Sequence, residues 1–593
     1  MRAGSVIPKT RVLGALTTAF VLSIGSVTVA VAAPAELGRT EQVVDDWGGI
    51  EVRQITLDSP MLPSAGPQPP QCQKISYLRY RLTDGPEDPQ QADAVLVMQP
   101  GATGSASSLD RVARNTLNDL KNQGKKAEWW SIARRGVCQQ DDTGIEAAVT
   151  ARDYHVAVDY YYNNKEIDGK RFAGFRGLWG DKQGADFGMA QTVTDMNELL
   201  TRELPDREFR KTKTLCGGHS QGGLITGIFG AWDFTGQPED AGFNQCAGFV
   251  ALDTVVTADV VGLKVDPLMN ALSTVLTGLP YDIETFGLKF GLIPNDNALI
   301  PVFNPKSFNA ITIAGLAARF APDEETDLTR IMPQDWQLAS TFRTVSSPNL
   351  LDAVTGANGL TSFRYTNEAY LGAIVDDNAM TIGLDQTSLG TLDGPVAEKS
   401  FPVPGEWGDQ LTKVPFIGPL AGNLLAATIG HGKRIAPTDH NWLYRWRDYR
   451  DTPTTSWTNP SREVVDIKDF ARMLSGPLGF TEIYFPTKVL YDTFFALGGT
   501  RSGDLSPIRY EAQLRDKPMI TINGDKSVVN NMLNLQEVAS QLFTNAPHFR
   551  RVMLPGYTHI DTLAGAEVQN DGRPDPAGLA IAGFVERAVG ADR

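Results

Sequence analysis

Cysteine and histidine are scarce in this sequence, which holds four cysteines and six histidines among 593 residues. No C-x-x-C pair and no cysteine–histidine group with metal-ligand spacing occurs. His431 and His440 lie nine positions apart without a clustered third ligand, which is typical of ordinary loop histidines. We therefore predict no metal site and no cofactor.

Clusters of basic residues are also missing. The chain has 69 acidic and 54 basic residues, a net charge of -15, and no long run of one sign. Proteins that bind nucleic acids or dock on anionic membranes need clustered Lys and Arg. Both kinds of partner are therefore argued against.

Long apolar runs are absent except near the N-terminus. Residues 1–32 begin with basic side chains, continue as an apolar stretch over 12–31 and close on small residues, as a secretory signal peptide does. An uncleaved membrane anchor is the alternative, but the small residues favour cleavage. No cysteine follows this stretch directly, which argues against a lipid anchor. We expect a secreted, extracellular protein without a stable membrane anchor.

The four cysteines are an even number in a chain expected to be exported, so disulfides are predicted. Pairing neighbours in sequence joins Cys72 to Cys138 and Cys216 to Cys246. Each bond would contribute about 3 to 5 kcal/mol through loop closure. The alternative for Cys216 is a buried free thiol.

The pentapeptide Gly218-His219-Ser220-Gln221-Gly222 has the pattern G-x-S-x-G. Residues 212–216 before it are strand-like, and apolar residues recur at helical spacing over 224–232 after it. A strand–turn–helix elbow strains its central residue, and only small neighbours fit two positions before and after. The pattern predicts a nucleophilic serine at 220; a plain Gly-Ser loop is the alternative.

Strand-like and helical segments alternate on both sides of this motif. Before it, strands are predicted over 51–57, 74–82, 93–98 and 127–132, and helices over 109–120 and 187–204. A strand over 247–252 follows it. The alternation stops over about 254–515, where helices such as 308–320 and 467–474 are predicted, and resumes with strands 518–523 and 549–554 and a helix over 576–589.

We predict a signal peptide over 1–32 and a parallel sheet domain over 33–253 and 516–593. Residues 254–515 are predicted to form an inserted, mainly helical domain, since this stretch is too long for a loop.

The elbow at Ser220, the sheet built from both ends of the chain and the insert together resemble the α/β-hydrolase superfamily. The resemblance covers roughly residues 45–253 and 513–593. It implies a mostly parallel sheet flanked by helices, with a large cap inserted before the last two strands. It also implies a Ser–His–acid triad.

A serine hydroxyl needs a base that accepts its proton. His559 follows the last predicted strand, in the loop where this superfamily carries its base, so we predict His559 in that role. The acid usually follows the strand before the last, which selects Asp525. The commoner spacing would place an acid at 527, where this chain has Ser527. Asp253, after the strand that follows the elbow helix, is the alternative acid.

Two backbone N–H groups should stabilise the oxyanion. Gln221 supplies one at the start of the elbow helix, and the Gly-rich loop after strand 93–98 supplies the other, from Ala102 or alternatively Thr103. The expected protein is a secreted serine esterase or lipase-like enzyme acting on small-molecule or polymeric carboxylic esters through an acyl-enzyme. A secreted serine peptidase or amidase and a non-catalytic binding protein are the alternatives.

Overall fold

The computed structural model describes ten stretches of the chain, and the sheet and the insert belong to one compact unit that begins at Arg39. The described residues are 38–177, 182–263, 277–296, 304–333, 338–339, 342–343, 346–380, 383–400, 434–543 and 548–590.

Nine strands form the main sheet. They are β1 (Arg39–Trp47), β2 (Ile50–Asp58), β3 (Lys74–Leu82), β4 (Val95–Gln99), β5 (Glu128–Ala133), β6 (Thr214–His219), β7 (Gly248–Leu252), β13 (Met519–Gly524) and β14 (Phe549–Leu554). Their order in the sheet is β1-β2-β3-β5-β4-β6-β7-β13-β14. The pairs from β5 to β14 are parallel, and β1 and β3 run against their neighbours.

The central strands are fully buried because helices cover both faces of the sheet. Their apolar runs made them predictable from the sequence. The edge strand β1 was missed because its side chains are mostly exposed and give little apolar signal. An antiparallel edge strand forms mainly through backbone pairing, here with β2.

The α-helices of the sheet domain flank these strands. They are Asp110–Asn122, Thr143–Ala151, His155–Tyr162, Met189–Glu203, Arg207–Lys213, Gln221–Gly230, Val528–Leu533, Leu535–Leu542, Asp561–Ala564 and Pro576–Gly590.

The stretch predicted as an insert lies between β7 and β13, and its being a separate cap domain stays a prediction. Its helices are Tyr281–Lys289, Pro305–Phe320, Leu328–Ile331, Leu350–Thr355, Asn367–Val375, Ile467–Leu474, Thr487–Leu497 and Glu511–Arg515. Its described residues also form five short strands that were not predicted: β8 (Arg364–Tyr365), β9 (Gly390–Asp393), β10 (Val396–Glu398), β11 (Ile435–Pro437) and β12 (Leu443–Asp448). They pair as β8-β12-β9 and β10-β11. Strands this short leave too few residues for a readable alternation.

The strand register brings distant loops to one edge of the sheet. Gln99 pairs with Gly218, His219 with Leu252, and Gly524 with Leu554, so these parallel strands end at the same level. Ligand sites of parallel sheets collect at this carboxyl edge.

Both predicted disulfides are present: Cys72 pairs with Cys138, and Cys216 pairs with Cys246. The second bond ties β6 to the turn that enters β7. No described helix has the length and apolar character needed to cross a membrane. Residues 1–32 lie outside the described residues, so the signal peptide stays a prediction, as do the domain boundaries.

Candidate active site

Ser220 lies in a sharp turn between β6 and the helix Gln221–Gly230. Its φ is 53° and its ψ is -126°, a strained combination for a residue with a side chain. A Cβ added to Gly218 would approach the Gly222 carbonyl carbon to 2.3 Å, and one added to Gly222 would approach the Gln99 oxygen to 2.3 Å. Only glycine fits these two positions, and the turn therefore presents Ser220 at the carboxyl edge of the sheet.

His559 follows β14 and is 4% exposed. Its Nδ1 lies 2.5 Å from Oδ2 of Asp253. This contact places the Nδ1 proton toward the carboxylate and leaves Nε2 as the unprotonated nitrogen of the neutral ring. His559 and Ser220 line the same cavity.

Asp253, directly after β7, is fully buried. Besides His559, its carboxylate accepts hydrogen bonds from the Gly524 N–H at 3.0 Å and from the Ser527 hydroxyl. These donors hold the buried carboxylate in one orientation.

Asp525 does not reach His559, and this corrects the prediction that it is the acid. Its side chain is exposed and accepts a hydrogen bond from the Gly556 N–H at 2.7 Å. The side chain at 525 therefore turns toward the loop after β14 and braces it. Ser527, at the position where an acid was expected, donates to Asp253 instead. The alternative acid named from the sequence is thus the residue that the structure brings to the histidine.

His219, the residue before Ser220, lines the same cavity. Its ring centroid lies 4.3 Å from that of His559, and its Nε2 lies 3.1 Å from the His559 carbonyl oxygen. Since that oxygen can only accept, Nε2 carries the proton. Burial and the nearby His559 lower the pKa of His219 well below its usual value, so the ring is neutral.

The loop after β4 borders the serine. Gly101, Ala102, Thr103 and Gly104 all line the cavity, and a Cβ added to Gly101 would lie 3.1 Å from the Ser220 Cβ. Thr103 has a φ of 58°. Of the two predicted oxyanion donors, Ala102 lines the cavity with Ser220 and Gln221 follows Ser220 directly in the chain, and the donor role itself stays a prediction.

The Gln221 side chain points away from the cavity mouth toward the insert. Its Nε2 donates to the Thr493 hydroxyl at 2.9 Å. The elbow helix is thereby bonded to the insert helix Thr487–Leu497.

Arg134 is a buried cation behind the Gly-rich loop, and no sequence pattern pointed to it. Its guanidinium donates to the carbonyl oxygens of Pro100, Gly101 and Gly104 at 2.7 to 2.8 Å. It also pairs with the fully buried Glu482 of the insert at 2.8 Å. Five rigid donors in a planar fork suit such a clamp, which fixes the loop beside Ser220.

The cavity in front of Ser220 has a volume of about 160 Å³. Residues of the insert supply most of its apolar wall, including Phe308, Ile311, Met380, Phe470, Leu474 and Phe480. Phe308, Ile311, Phe470 and Leu474 fall in helices predicted from the sequence, but their spacing did not indicate that they face the serine.

Among the described residues, three acidic side chains lie close enough together to hold a cation. The carboxylate oxygens of Asp376, Asp377 and Glu463 lie within 4.8 Å of one another. Backbone N–H groups donate to Asp376 and Glu463, and the Lys526 ammonium lies 3.5 Å from Asp377. Each carboxylate thus has a partner within the protein.

Of the two histidines weighed as metal ligands in the sequence analysis, His440 belongs to the described residues. His440 stacks on Phe363, and its Nδ1 lies 2.9 Å from the Ser362 carbonyl oxygen. His431 lies outside the described residues.

No family model and no curated protein matches this chain. Among solved structures, it is similar to epoxide hydrolase A from Mycobacterium thermoresistibile, with 12% identity, 93% of this chain and 98% of that chain covered, and a TM-score of 0.31. It is also similar to a soluble variant of monoglyceride lipase from Saccharomyces cerevisiae in complex with a substrate analog, with 10% identity, coverage of 87% and 92%, and a TM-score of 0.30. Potato (Solanum tuberosum) epoxide hydrolase I is similar with 11% identity, 93% of this chain and 100% of that chain covered, and a TM-score of 0.29.

The chain has the α/β-hydrolase superfamily fold. Its own strand order, the strained serine turn after β6 and the histidine loop after β14 define this class.

Proposed function

We propose that this protein is a secreted serine hydrolase that cleaves carboxylic esters. The observation that carries the proposal is that Ser220 and His559 line one cavity and that the buried Asp253 contacts His559. Three roles follow from the chemistry of these groups: Ser220 is the nucleophile, His559 the general base and Asp253 the acid that orients the imidazole.

In the first half-reaction, the Ser220 Oγ attacks the ester carbonyl carbon while His559 Nε2 takes the hydroxyl proton. The Asp253 carboxylate, bonded at Nδ1, stabilises the imidazolium that forms. The tetrahedral oxyanion lies between the N–H groups of Gln221 and Ala102. Collapse breaks the bond to the alcohol, which leaves with the proton from His559, and an acyl-enzyme remains on Ser220.

In the second half-reaction, water attacks the acyl carbon and gives a proton to His559. The acid product leaves when the bond to Ser220 Oγ breaks and the proton returns to that oxygen. No cofactor takes part in either half-reaction.

The apolar wall of the cavity supports an ester substrate with a hydrocarbon part, since such a wall binds apolar surface and excludes water. Two disulfides and the signal-peptide pattern over 1–32 support secretion.

The test is covalent labelling with a fluorophosphonate probe, followed by mapping of the adduct. We expect the adduct on Ser220, with labelling abolished in Ser220→Ala and turnover lowered by on the order of 10^4-fold or more. Ser108→Ala is the matched control, because Ser108 lines the same cavity but donates its hydroxyl to the Ser105 carbonyl. That variant should still be labelled.

A panel of p-nitrophenyl esters and aminoacyl nitroanilides then separates ester from amide cleavage. Turnover of nitroanilides alone would replace the esterase by a peptidase or amidase. An unlabelled protein without turnover would leave a binding role for the fold.

A further inference from the structure

The cavity in front of Ser220 contains one carboxyl group that the proposed reaction does not use. Asp385 belongs to the insert, between the helix Asn367–Val375 and β9, and lines the cavity together with Ser220 and His559. Its neighbours in the wall, Leu384 and Met380, are apolar.

The Asp385 carboxyl is incompletely satisfied. Its Oδ2 is buried and has no hydrogen-bond partner among the described residues. Burial raises its pKa from 3.8 to about 7, and the positive charge of a protonated His559 opposes that rise. Asp253, by contrast, has three donors around its carboxylate. A buried polar atom without a partner is rare in folded proteins and marks a place where a ligand group can complete the bonding.

We infer that Asp385 is a specificity-determining residue that hydrogen-bonds a hydroxyl group of the ester substrate inside the mostly apolar cavity. This inference rests on the proposed ester hydrolysis. A hydroxyl suits the site because it can donate to an ionised carboxylate and accept from a neutral carboxyl. An ammonium would need a permanently charged partner in a wall that is otherwise apolar.

The hydrogen bond to Asp385 should select between substrates and take no part in the bond-breaking steps. An ester with a correctly placed hydroxyl satisfies Asp385 on binding, whereas the plain ester leaves the carboxyl without a partner and without water. The preference therefore appears as a ratio of kcat/KM values between two substrates that differ only by the hydroxyl.

The experiment measures that ratio in the full-length protein. The substrates are propyl hexanoate, propyl 3-hydroxyhexanoate and 3-hydroxypropyl hexanoate, so that a hydroxyl is offered on the acyl side and on the alcohol side. We expect the wild type to prefer one hydroxylated ester by about tenfold or more. Asp385→Leu should bring that ratio close to one, because leucine offers no hydrogen-bonding group. Asp385→Asn, which can still hydrogen-bond, should keep part of the preference.

Fluorophosphonate labelling of Ser220 in each variant shows that the site is intact, and Asp385→Ala replaces the leucine variant if that one does not fold. Hydrolysis of all three esters by the wild type without preference, or a preference that survives in Asp385→Leu, overturns the role of Asp385 and leaves the esterase proposal standing. Absence of any ester hydrolysis overturns both.

Discussion

Asp253 and Asp525 each follow a buried parallel strand, and the two strands, β7 and β13, are neighbours in the sheet. Asp253 is fully buried, contacts His559 and accepts from Gly524 and Ser527. Asp525 is exposed and accepts from the backbone of Gly556. Two aspartates that each follow a buried strand therefore make different contacts. Asp253 contacts the His559 imidazole, whereas Asp525 accepts a hydrogen bond from the loop after β14.

The difference between these two loops shows what an acid needs in order to serve a histidine. Solvent screens an exposed carboxylate, whereas a buried one acts through a low dielectric and keeps one geometry because fixed donors surround it. The following predictions test whether burial and donors, rather than position along the chain, decide the role.

The largest effect on turnover should separate the two aspartates when each is replaced by asparagine. Asp253→Asn keeps the shape but removes the charge and disturbs the tautomer of His559, so turnover should fall by about 10^4-fold. Asp525→Asn should stay within about tenfold of the wild type, because Asn can still accept from Gly556. Ester turnover of both variants is measured alongside melting curves. The opposite ranking would return the acid to Asp525.

A second effect concerns Arg134, which holds the loop on the other side of Ser220. Arg134→Met removes the donors to Pro100, Gly101 and Gly104. We expect kcat to fall by about 10^2-fold, because the oxyanion donors lose their positions while substrate binding in the apolar wall persists. Steady-state kinetics separates kcat from KM.

The single variant should also unfold about 3 to 5 kcal/mol more easily, since Glu482 is left buried without its partner. Arg134→Met combined with Glu482→Gln is the control that removes this charge. It should regain stability but not kcat. Recovery of kcat together with stability would mean that Arg134 serves the fold alone.

A smaller effect is expected at Ser527, the residue through which the β13 loop reaches Asp253. Ser527→Ala removes one donor to the carboxylate, and turnover should fall roughly tenfold, as for the loss of a hydrogen bond to a charged group. Ser527→Thr keeps the hydroxyl and is the matched control. Equal turnover of the alanine and threonine variants would show that Asp253 needs no support from this loop.

The smallest effect concerns pH and the loop that carries His559. Asp561 is fully buried and accepts from Thr558 and Ser388, and burial raises its pKa from 3.8 to about 6. The folded state therefore binds this proton more tightly than the unfolded state between about pH 4 and 6. This contribution to stability is present below pH 4 and is lost as pH rises through about 6.

We expect Asp561 to account for about 1 to 3 kcal/mol of the fall in unfolding free energy between pH 4.5 and 7.5. Asp561→Asn does not titrate and should flatten the profile by that amount, which urea unfolding at the two pH values measures. Parallel profiles for the two proteins would assign the pH dependence to other carboxyl groups.

Local patterns were enough to predict most of the fold. Strand β3 (Lys74–Leu82), strand β14 (Phe549–Leu554) and the helix Ile467–Leu474 have the bounds read from apolar periodicity. The disulfides followed from pairing neighbours in sequence. The serine turn followed from Gly218 and Gly222, because the steric limits of a tight turn act within five residues.

Contacts between residues far apart in sequence could not be predicted from local patterns. Edge strand β1 and the five short strands of the insert depend on a partner strand rather than on their own side chains. The positions of Asp385 and Arg134 beside the site could not be predicted from the sequence. Each contacts residues that are far away along the chain and come close only after folding.

The sequence by itself determined the fold class, the serine turn and a histidine after the last strand. Each of these depends on steric limits between neighbouring residues or on the spacing of apolar residues. Only the tertiary structure decided which aspartate meets His559. Asp253 and Ser527 are 274 positions apart, and Asp253 and His559 are 306 positions apart. The direction of each side chain depends on the donors that its neighbours in the sheet supply, and those neighbours are chosen by packing rather than by local sequence.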